Sequence, residues 1–141
     1  MATFYTYFKE NMEGLGLPAP ETLFGNLQAA VGTAVVILSQ IDKFGKAVTV
    51  REIIGAGTKL EGLTVIAGLS AAFYVGAVIG SIAVALGRTL SGGTTMLDVL
   101  TTATQYNLHR PWLIAELQRK PGLYQPHTPF RDQYRFQAAY A

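Results

Sequence analysis

The sequence predicts an all-α protein built on a helical transmembrane hairpin, with a short amphipathic N-terminal helix and one or two short C-terminal helices. Three features indicate this fold. Half of the 141 residues are hydrophobic and only 14% are charged, whereas soluble domains have about 25% charged residues. Two long stretches, Thr22–Ile41 and Gly62–Gly87, carry no charged residue. Seven of the 15 glycines lie inside these two apolar stretches, a placement that is more usual in transmembrane helices than in soluble ones.

The longer apolar stretch, Gly62–Gly87, lies between Glu61 and Arg88 and has 26 residues without a charge. As one continuous helix it would rise about 39 Å, at ~1.5 Å per residue. A helix of that length can cross a hydrocarbon core of about 30 Å with some tilt. We therefore expect this stretch to be the principal membrane-inserting helix.

Small residues recur at every fourth position of this stretch, namely Gly68, Ala72, Gly76 and Gly80. On one helix these positions form a nearly bare backbone strip, where a second helix can approach closely. We expect the strip to pack either against the Thr22–Ile41 helix of the same hairpin or against other copies of the chain. The second arrangement makes the protein an oligomer.

The second predicted span, Thr22–Ile41, contains three amide side chains. Asn26 and Gln28 lie near one end of the span and Gln40 lies near the other. Amides cost less than charges in lipid, and they favour a bundle interior or a water-filled path. Two interpretations follow: these side chains sit at the membrane interfaces, or they line a pore and hydrogen-bond across helices.

The chain divides into three regions. Residues 1–21 form an N-terminal amphipathic segment, with a helix predicted over Ala2–Leu15 and a break rich in glycine and proline after it. Residues 22–90 form the two-span hairpin. Residues 91–141 form a basic, aromatic-rich helical region and tail.

The segments outside the spans have shorter signals. The connecting loop, Asp42–Glu61, is predicted as an interfacial helix or a short strand, and its four Lys and Arg residues favour a cytoplasmic position. Apolar residues at spacings of three and four predict a helix over Met96–Leu108. A proline at a first helical position predicts another over Pro111–Lys120. We expect the tail, Leu123–Ala141, to wrap over a partner or stay extended.

Residues that carry chemistry are few and scattered. The chain has no cysteine, which excludes disulfides and thiolate metal sites. His109 and His127 are its two histidines, and no carboxylates accompany them at metal-ligand spacing. The basic residues form no run of the kind that binds nucleic acid. We expect a protein that is not an enzyme, has no cofactor or metal and does not bind nucleic acid.

The apolar spans of residues 22–90, with their rows of small residues, resemble those of small bacterial glycine-zipper membrane-inserting proteins, including toxins, pore-forming secretion-system effectors and holin-like proteins. The resemblance implies self-assembly in a bacterial inner membrane, or in an organelle inner membrane, and dissipation of ion gradients. For a delivered effector it also implies a chaperone that shields the spans and an immunity protein in the producing cell.

Three functional hypotheses follow. The first is a membrane-inserting protein that oligomerises and forms a pore or permeabilises the bilayer without catalysis. The second is a non-catalytic membrane subunit or assembly factor, whose small-residue strip packs on a helix of another protein. The third is a soluble helical domain that buries Gly62–Gly87 at its centre, as colicin-like folds bury apolar helices inside a shell of amphipathic ones.

Overall fold

The computed structural model describes residues 3–58, 60–90 and 95–138, without the side chains of residues 88–90 and 137–138. Its α-helices in these ranges are α1 (Phe4–Gly14), α2 (Glu21–Phe24), α3 (Leu27–Phe44), α4 (Val50–Gly55), α5 (Ala71–Leu90), α6 (Met96–Gln105), α7 (Leu113–Arg119) and α8 (Tyr134–Ala138). Short 3₁₀ helices lie at Glu61–Ile66, Pro121–Leu123 and Arg131–Gln133. The prediction of an all-α protein is confirmed for these residues, which contain one isolated β-bridge and no strand.

The predicted transmembrane hairpin has no support in this structure. Within the described ranges, none of the helices has both the length and the apolar character that crossing a bilayer requires. Each of the two predicted spans, Thr22–Ile41 and Gly62–Gly87, is divided by a break in the helix. A side-chain cap explains the first break, and backbone hydrogen bonds to a segment about 20 residues earlier in the chain explain the second.

The first break separates α2 from α3 and is made by Asn26. This residue has extended backbone angles, and its side-chain oxygen accepts a hydrogen bond of 2.8 Å from the backbone N–H of Ala29. An asparagine in that role begins a helix, so a helix cannot run through it unbroken. The hydroxyl of Thr33 donates to the carbonyl of Leu23 (2.7 Å), which holds α2 against α3.

The second break divides Gly62–Gly87 into a 3₁₀ helix, a corner and α5. The corner comprises residues 67–70 and is paired with the chain around the start of α4. Its backbone hydrogen bonds are Val50 N to Leu69 O (2.9 Å), Arg51 N to Ala67 O (2.8 Å) and Ala71 N to Val48 O (3.0 Å). They flank an antiparallel bridge between Thr49 and Ser70. The predicted 26-residue helix is therefore wrong for this structure, because these bonds use backbone groups that a continuous helix would need.

Helix α5 forms the centre of the molecule. Every residue from Ala71 to Ala85 is buried, and α1, α3, α6 and α7 all contact this helix. A helix that is apolar on all sides must be covered on all sides. The rings of Phe8 and Phe24 stack at 4.9 Å, and the Tyr74 hydroxyl donates to the carbonyl of Pro18 (2.8 Å).

The helices outside the spans follow the predictions closely. The helix predicted over Ala2–Leu15 is α1, and those predicted over Met96–Leu108 and Pro111–Lys120 are α6 and α7, each somewhat shorter. The loop predicted as an interfacial helix or a strand contains the short helix α4, with a capping box between Thr49 and Glu52. The described part of the tail does not stay extended: it contains the 3₁₀ helix Arg131–Gln133 and α8, and it folds back over its own chain.

Candidate functional site

The small-residue face of α5 meets the C-terminal strap, which we define as residues 121–135. The strap crosses α5 at Gly80, where a Cβ atom would lie only 2.5 Å from the backbone oxygen of Leu123. At Gly76 the neighbours are farther away: a Cβ would lie 3.5 Å from the Glu116 Cγ and 3.6 Å from the Leu123 Cδ1. Gly80 therefore permits a backbone contact that no larger residue allows.

The predicted small-residue strip is only partly on this face. Ala72, Gly76 and Gly80 lie on α5 and are buried. Gly68 is exposed in the corner, with nothing within 4 Å of the place of a Cβ. We expected the strip to meet the Thr22–Ile41 helix or other copies of the chain. In this structure the groups nearest to Gly76 and Gly80 belong to α7 and the C-terminal strap.

A polar clasp of Asn11, Ser81 and Arg131 joins α1, α5 and the C-terminal strap. One guanidinium nitrogen of Arg131 donates to the Asn11 side-chain oxygen (2.7 Å) and to the Gly122 carbonyl (3.1 Å). The Asn11 amide donates to the Ser81 hydroxyl (2.8 Å) and to the Leu123 carbonyl (3.0 Å). The clasp thus attaches the strap beside the point where it crosses Gly80.

The clasp holds a buried positive charge. Arg131 is 9% exposed, and the ion pairs formed among the described residues do not include it. Burial lowers the pKa of Arg131 below its ordinary value, while the nearby Tyr134, Asp132 and Glu10 act in the opposite direction. Taking a guanidinium out of water costs free energy that neutral hydrogen bonds offset only in part. The hydrogen bonds of Arg131 and Asn11 therefore hold the strap in place. The Arg131 guanidinium would gain hydration free energy if the strap moved away and exposed it to water.

A second buried charge lies beside Gly76 on the same face. Glu116 of α7 is 5% exposed, and its carboxylate pairs with Arg119 (2.9 Å) and Lys120 (3.1 Å). The Lys120 ammonium also lies 5.7 Å from the centre of the Phe73 ring of α5. The small-residue face thus has two neighbours, α7 and the C-terminal strap. Each of them packs side-chain carbon atoms against the face and carries a buried charged group nearby, Glu116 on α7 and Arg131 on the strap.

The three amides predicted to be interfacial or pore-lining do not meet. Asn26 caps α3, Gln28 is exposed near the start of α3, and Gln40 is half-buried near its end. The Gln40 side-chain oxygen is buried and has no hydrogen-bond partner among the described residues. At ~1.5 Å per residue, the two ends of this set are about 20 Å apart along α3. A pore lined by these side chains stays a prediction.

The clasp residues were missed by the sequence analysis, although Asn11 has a signal. Phe4, Phe8, Asn11 and Leu15 follow one another at spacings of four, three and four, which is the spacing of one helix face. A lone amide on such a face predicts a buried polar contact. Ser81 and Arg131 have no such local signal, because only the folded chain brings them to Asn11.

The groups around the small-residue face pack against α5 and hydrogen-bond the C-terminal strap to α1 and α5. Both His109 and His127 are exposed, and the described residues contain no group of three or more His, Cys, Asp or Glu side chains that could hold a metal ion. Among family models, curated proteins and solved structures, no match to this chain was found. Function is therefore inferred from the buried helix, the corner and the clasp.

Proposed function

We propose that the protein inserts into membranes, oligomerises and forms a pore or permeabilises the bilayer without catalysis, and that the structure is its closed form. The observation that carries the proposal is the burial of α5, where every side chain from Ala71 to Ala85 is covered by the protein itself. Such a helix is suited to an apolar environment on all sides, and protein or lipid can supply it.

Opening requires α1, α3, α6 and α7 to separate from α5, and it also requires two local changes. The corner at 67–70 must release its backbone bonds to the chain at 48–51, and the C-terminal strap must leave Gly80. The uncharged stretch Gly62–Gly87 can then become one continuous helix of about 39 Å, which exceeds the ~30 Å of a hydrocarbon core. In the open form the exposed face of Gly76 and Gly80 is suited to close packing against other copies.

The proposed site of action is a bilayer of the bacterial inner-membrane type, with an organelle inner membrane as the other candidate. The closed form covers α5, so the chain can reach that bilayer without exposing its most apolar segment.

The alternative is a non-catalytic membrane subunit or assembly factor. Its supporting observation is the set of large apolar side chains left exposed: Val65 is 80% exposed, Leu97 is 72% exposed and Phe136 is 60% exposed. Such residues fit a protein partner as well as a bilayer.

A reversible disulfide across the corner tests the proposed opening. Thr49 and Ser70 form a non-hydrogen-bonded antiparallel pair, because the bonds Val50 N to Leu69 O and Ala71 N to Val48 O flank them. The Cα atoms of such a pair are ~4.5 Å apart, within the ~4.4–6.8 Å that disulfides span. We expect the oxidised Thr49→Cys/Ser70→Cys protein to release no dye from vesicles, and the reduced protein to release dye as the wild type does.

Two comparisons make this experiment decisive. Each protein sample serves as its own control, since oxidised and reduced forms share both substitutions and the chain has no other cysteine. The single Thr49→Cys variant controls for the oxidant. Equal dye release from the oxidised and reduced double variant would contradict the straightening of the corner. A wild-type protein that releases no dye at any protein-to-lipid ratio would contradict the pore-forming proposal and favour the subunit.

A further inference from the structure

An open groove of about 590 Å³ lies where the loop after α1, the corner and α8 meet. Its apolar lining comes from Pro18, Val65, Ile66, Leu69 and Phe136, and its cationic group is Arg135. This volume falls within the ~300–1,000 Å³ typical of small-ligand sites, which combine an apolar wall with a few placed polar groups. The composition of the groove indicates an amphiphile with a negative charge at one end.

The Arg135 guanidinium has unused hydrogen-bonding capacity. One terminal nitrogen donates to the Gly16 carbonyl (3.1 Å), and the guanidinium carbon lies 4.8 Å from the centre of the Phe136 ring. The Nε atom is buried and has no hydrogen-bond partner in the part of the chain that the structure describes, so the donors open to a ligand in the groove are those of the terminal nitrogens. In the same part, the ion pairs include no carboxylate on Arg135. A guanidinium has five N–H donors arranged to match a phosphate.

The two sides of the groove expose large apolar side chains. Val65 is 80% exposed in the 3₁₀ helix before the corner, and Phe136 is 60% exposed in α8. Exposed apolar residues around a cationic group are the pattern of a surface that binds anionic membranes, since the charge attracts the head groups and the apolar residues enter the acyl region. A free ligand in an enclosed pocket would not need these side chains to face solvent.

We propose that this groove binds an anionic phospholipid of the bilayer, with its phosphate on Arg135 and the start of an acyl chain against Val65, Ile66 and Leu69. The inference rests on the proposed membrane function and adds the lipid class and the point of first contact. Ile66 and Leu69 adjoin or belong to the corner that must straighten. A lipid bound there competes with the packing of the corner, so binding and opening are coupled.

Vesicle sedimentation with matched variants tests the inference. We expect the wild type to bind phosphatidylcholine vesicles containing phosphatidylglycerol more tightly than pure phosphatidylcholine vesicles. We expect Arg135→Gln to reduce this preference about tenfold, as for loss of one charge-assisted contact. Arg119→Gln should keep the preference, because the Arg119 side chain is 60% exposed on α7 and Glu116 retains Lys120.

A second pair of variants tests the apolar side of the groove without changing the charge of Arg135 or any residue of the C-terminal strap. Val65→Ser should weaken binding to both kinds of vesicle, whereas Leu97→Ser, a change at a similarly exposed residue on α6, should not. Equal preference for phosphatidylglycerol in Arg135→Gln and Arg119→Gln, or equal binding by Val65→Ser and Leu97→Ser, would overturn the inference. Dye release measured on the same vesicles separates the two proposals. If the wild type releases dye and the Arg135→Gln and Val65→Ser variants bind and release as it does, the groove proposal is overturned and pore formation is not. If binding depends on these residues but the wild type releases no dye, pore formation is overturned and the groove proposal is not.

Discussion

We expect Gly80→Ala to lower the free energy of unfolding and Gly76→Ala to raise it, although both glycines lie on one face of α5. Alanine is favoured over glycine inside a helix by about 1 kcal/mol, and this gain applies at both positions. At Gly76 the new methyl would make ordinary contacts of 3.5 and 3.6 Å with side-chain atoms. We therefore expect Gly76→Ala to stabilise the protein by up to ~1 kcal/mol.

At Gly80 the same methyl would lie 2.5 Å from the backbone oxygen of Leu123 and 3.0 Å from its carbonyl carbon. A backbone group cannot rotate away as a side chain can, so the C-terminal strap must move. Overpacking of this kind costs about 1–3 kcal/mol, which exceeds the helix gain. Chemical denaturation of the two variants measures the difference. Equal stabilisation by both changes would show that the strap does not cross α5 at Gly80.

We expect the second large effect at the polar clasp. Asn11→Ala removes the hydrogen bonds of Asn11 to Arg131, Ser81 and the Leu123 carbonyl. The Arg131 guanidinium then loses an acceptor while it stays buried, and hydrogen bonds to charged groups contribute ~1.5–3 kcal/mol. We expect Asn11→Ala to lower the free energy of unfolding by about 3 kcal/mol. The exposed amide Gln28 provides the control, since Gln28→Ala should change it by less than about 0.5 kcal/mol.

A double-mutant cycle tests whether the clasp acts as a unit. Arg131→Met alone leaves the Asn11 oxygen without its donor, and Asn11→Leu alone leaves the Arg131 guanidinium without its side-chain acceptor. The double variant Asn11→Leu/Arg131→Met replaces both polar partners by apolar groups. We expect the double variant to lose less stability than the sum of the single variants, with a coupling of about 0.5–3 kcal/mol. Strict additivity would mean that the two side chains contribute independently and that no clasp joins α1 to the strap.

These two sites also bear on the proposed function. If the strap covers Gly80 in the closed form, variants that loosen the strap favour opening. Gly80→Ala and Asn11→Ala should therefore release vesicle dye faster than the wild type, and Gly76→Ala should release it more slowly. If the rates of dye release do not rise as the free energy of unfolding falls across these variants, the strap does not control insertion.

Much of the helical content could be predicted from local patterns. Apolar spacing indicated α6 and amphipathic composition indicated α1, since these signals depend on near neighbours in the chain. Pro111, predicted at a first helical position, indicated α7, although this helix begins two residues later at Leu113. The breaks inside the two apolar stretches were missed for different reasons. Asn26 is a good N-cap, but an amide inside an uncharged stretch fits a polar position of a membrane span equally well. The corner at 67–70 has no comparable signal, because its backbone partners lie at 48–51.

The candidate site was predictable only in part. The repeat of small residues pointed to a face of close approach, and Gly76 and Gly80 do have close neighbours. The identity of those neighbours was not predictable, since Leu123 and Arg131 come from a tail with no sustained pattern. Gly68 belongs to the strip only if Gly62–Gly87 is one continuous helix, and the corner removes it from the face of α5.

By itself the sequence determined that most of Gly62–Gly87 must be shielded from water, because a long uncharged segment loses free energy wherever it is exposed. In the structure this holds for Ala71–Ala85, whereas Val65 is 80% exposed. The sequence also determined that most of this segment is helical and that one of its faces is nearly bare. The tertiary structure decided what shields it: the protein's own helices surround α5, and the C-terminal strap lies across Gly80. The physical reason is that apolar side chains gain from leaving water in protein or lipid alike, so the choice depends on distant residues that supply the cover.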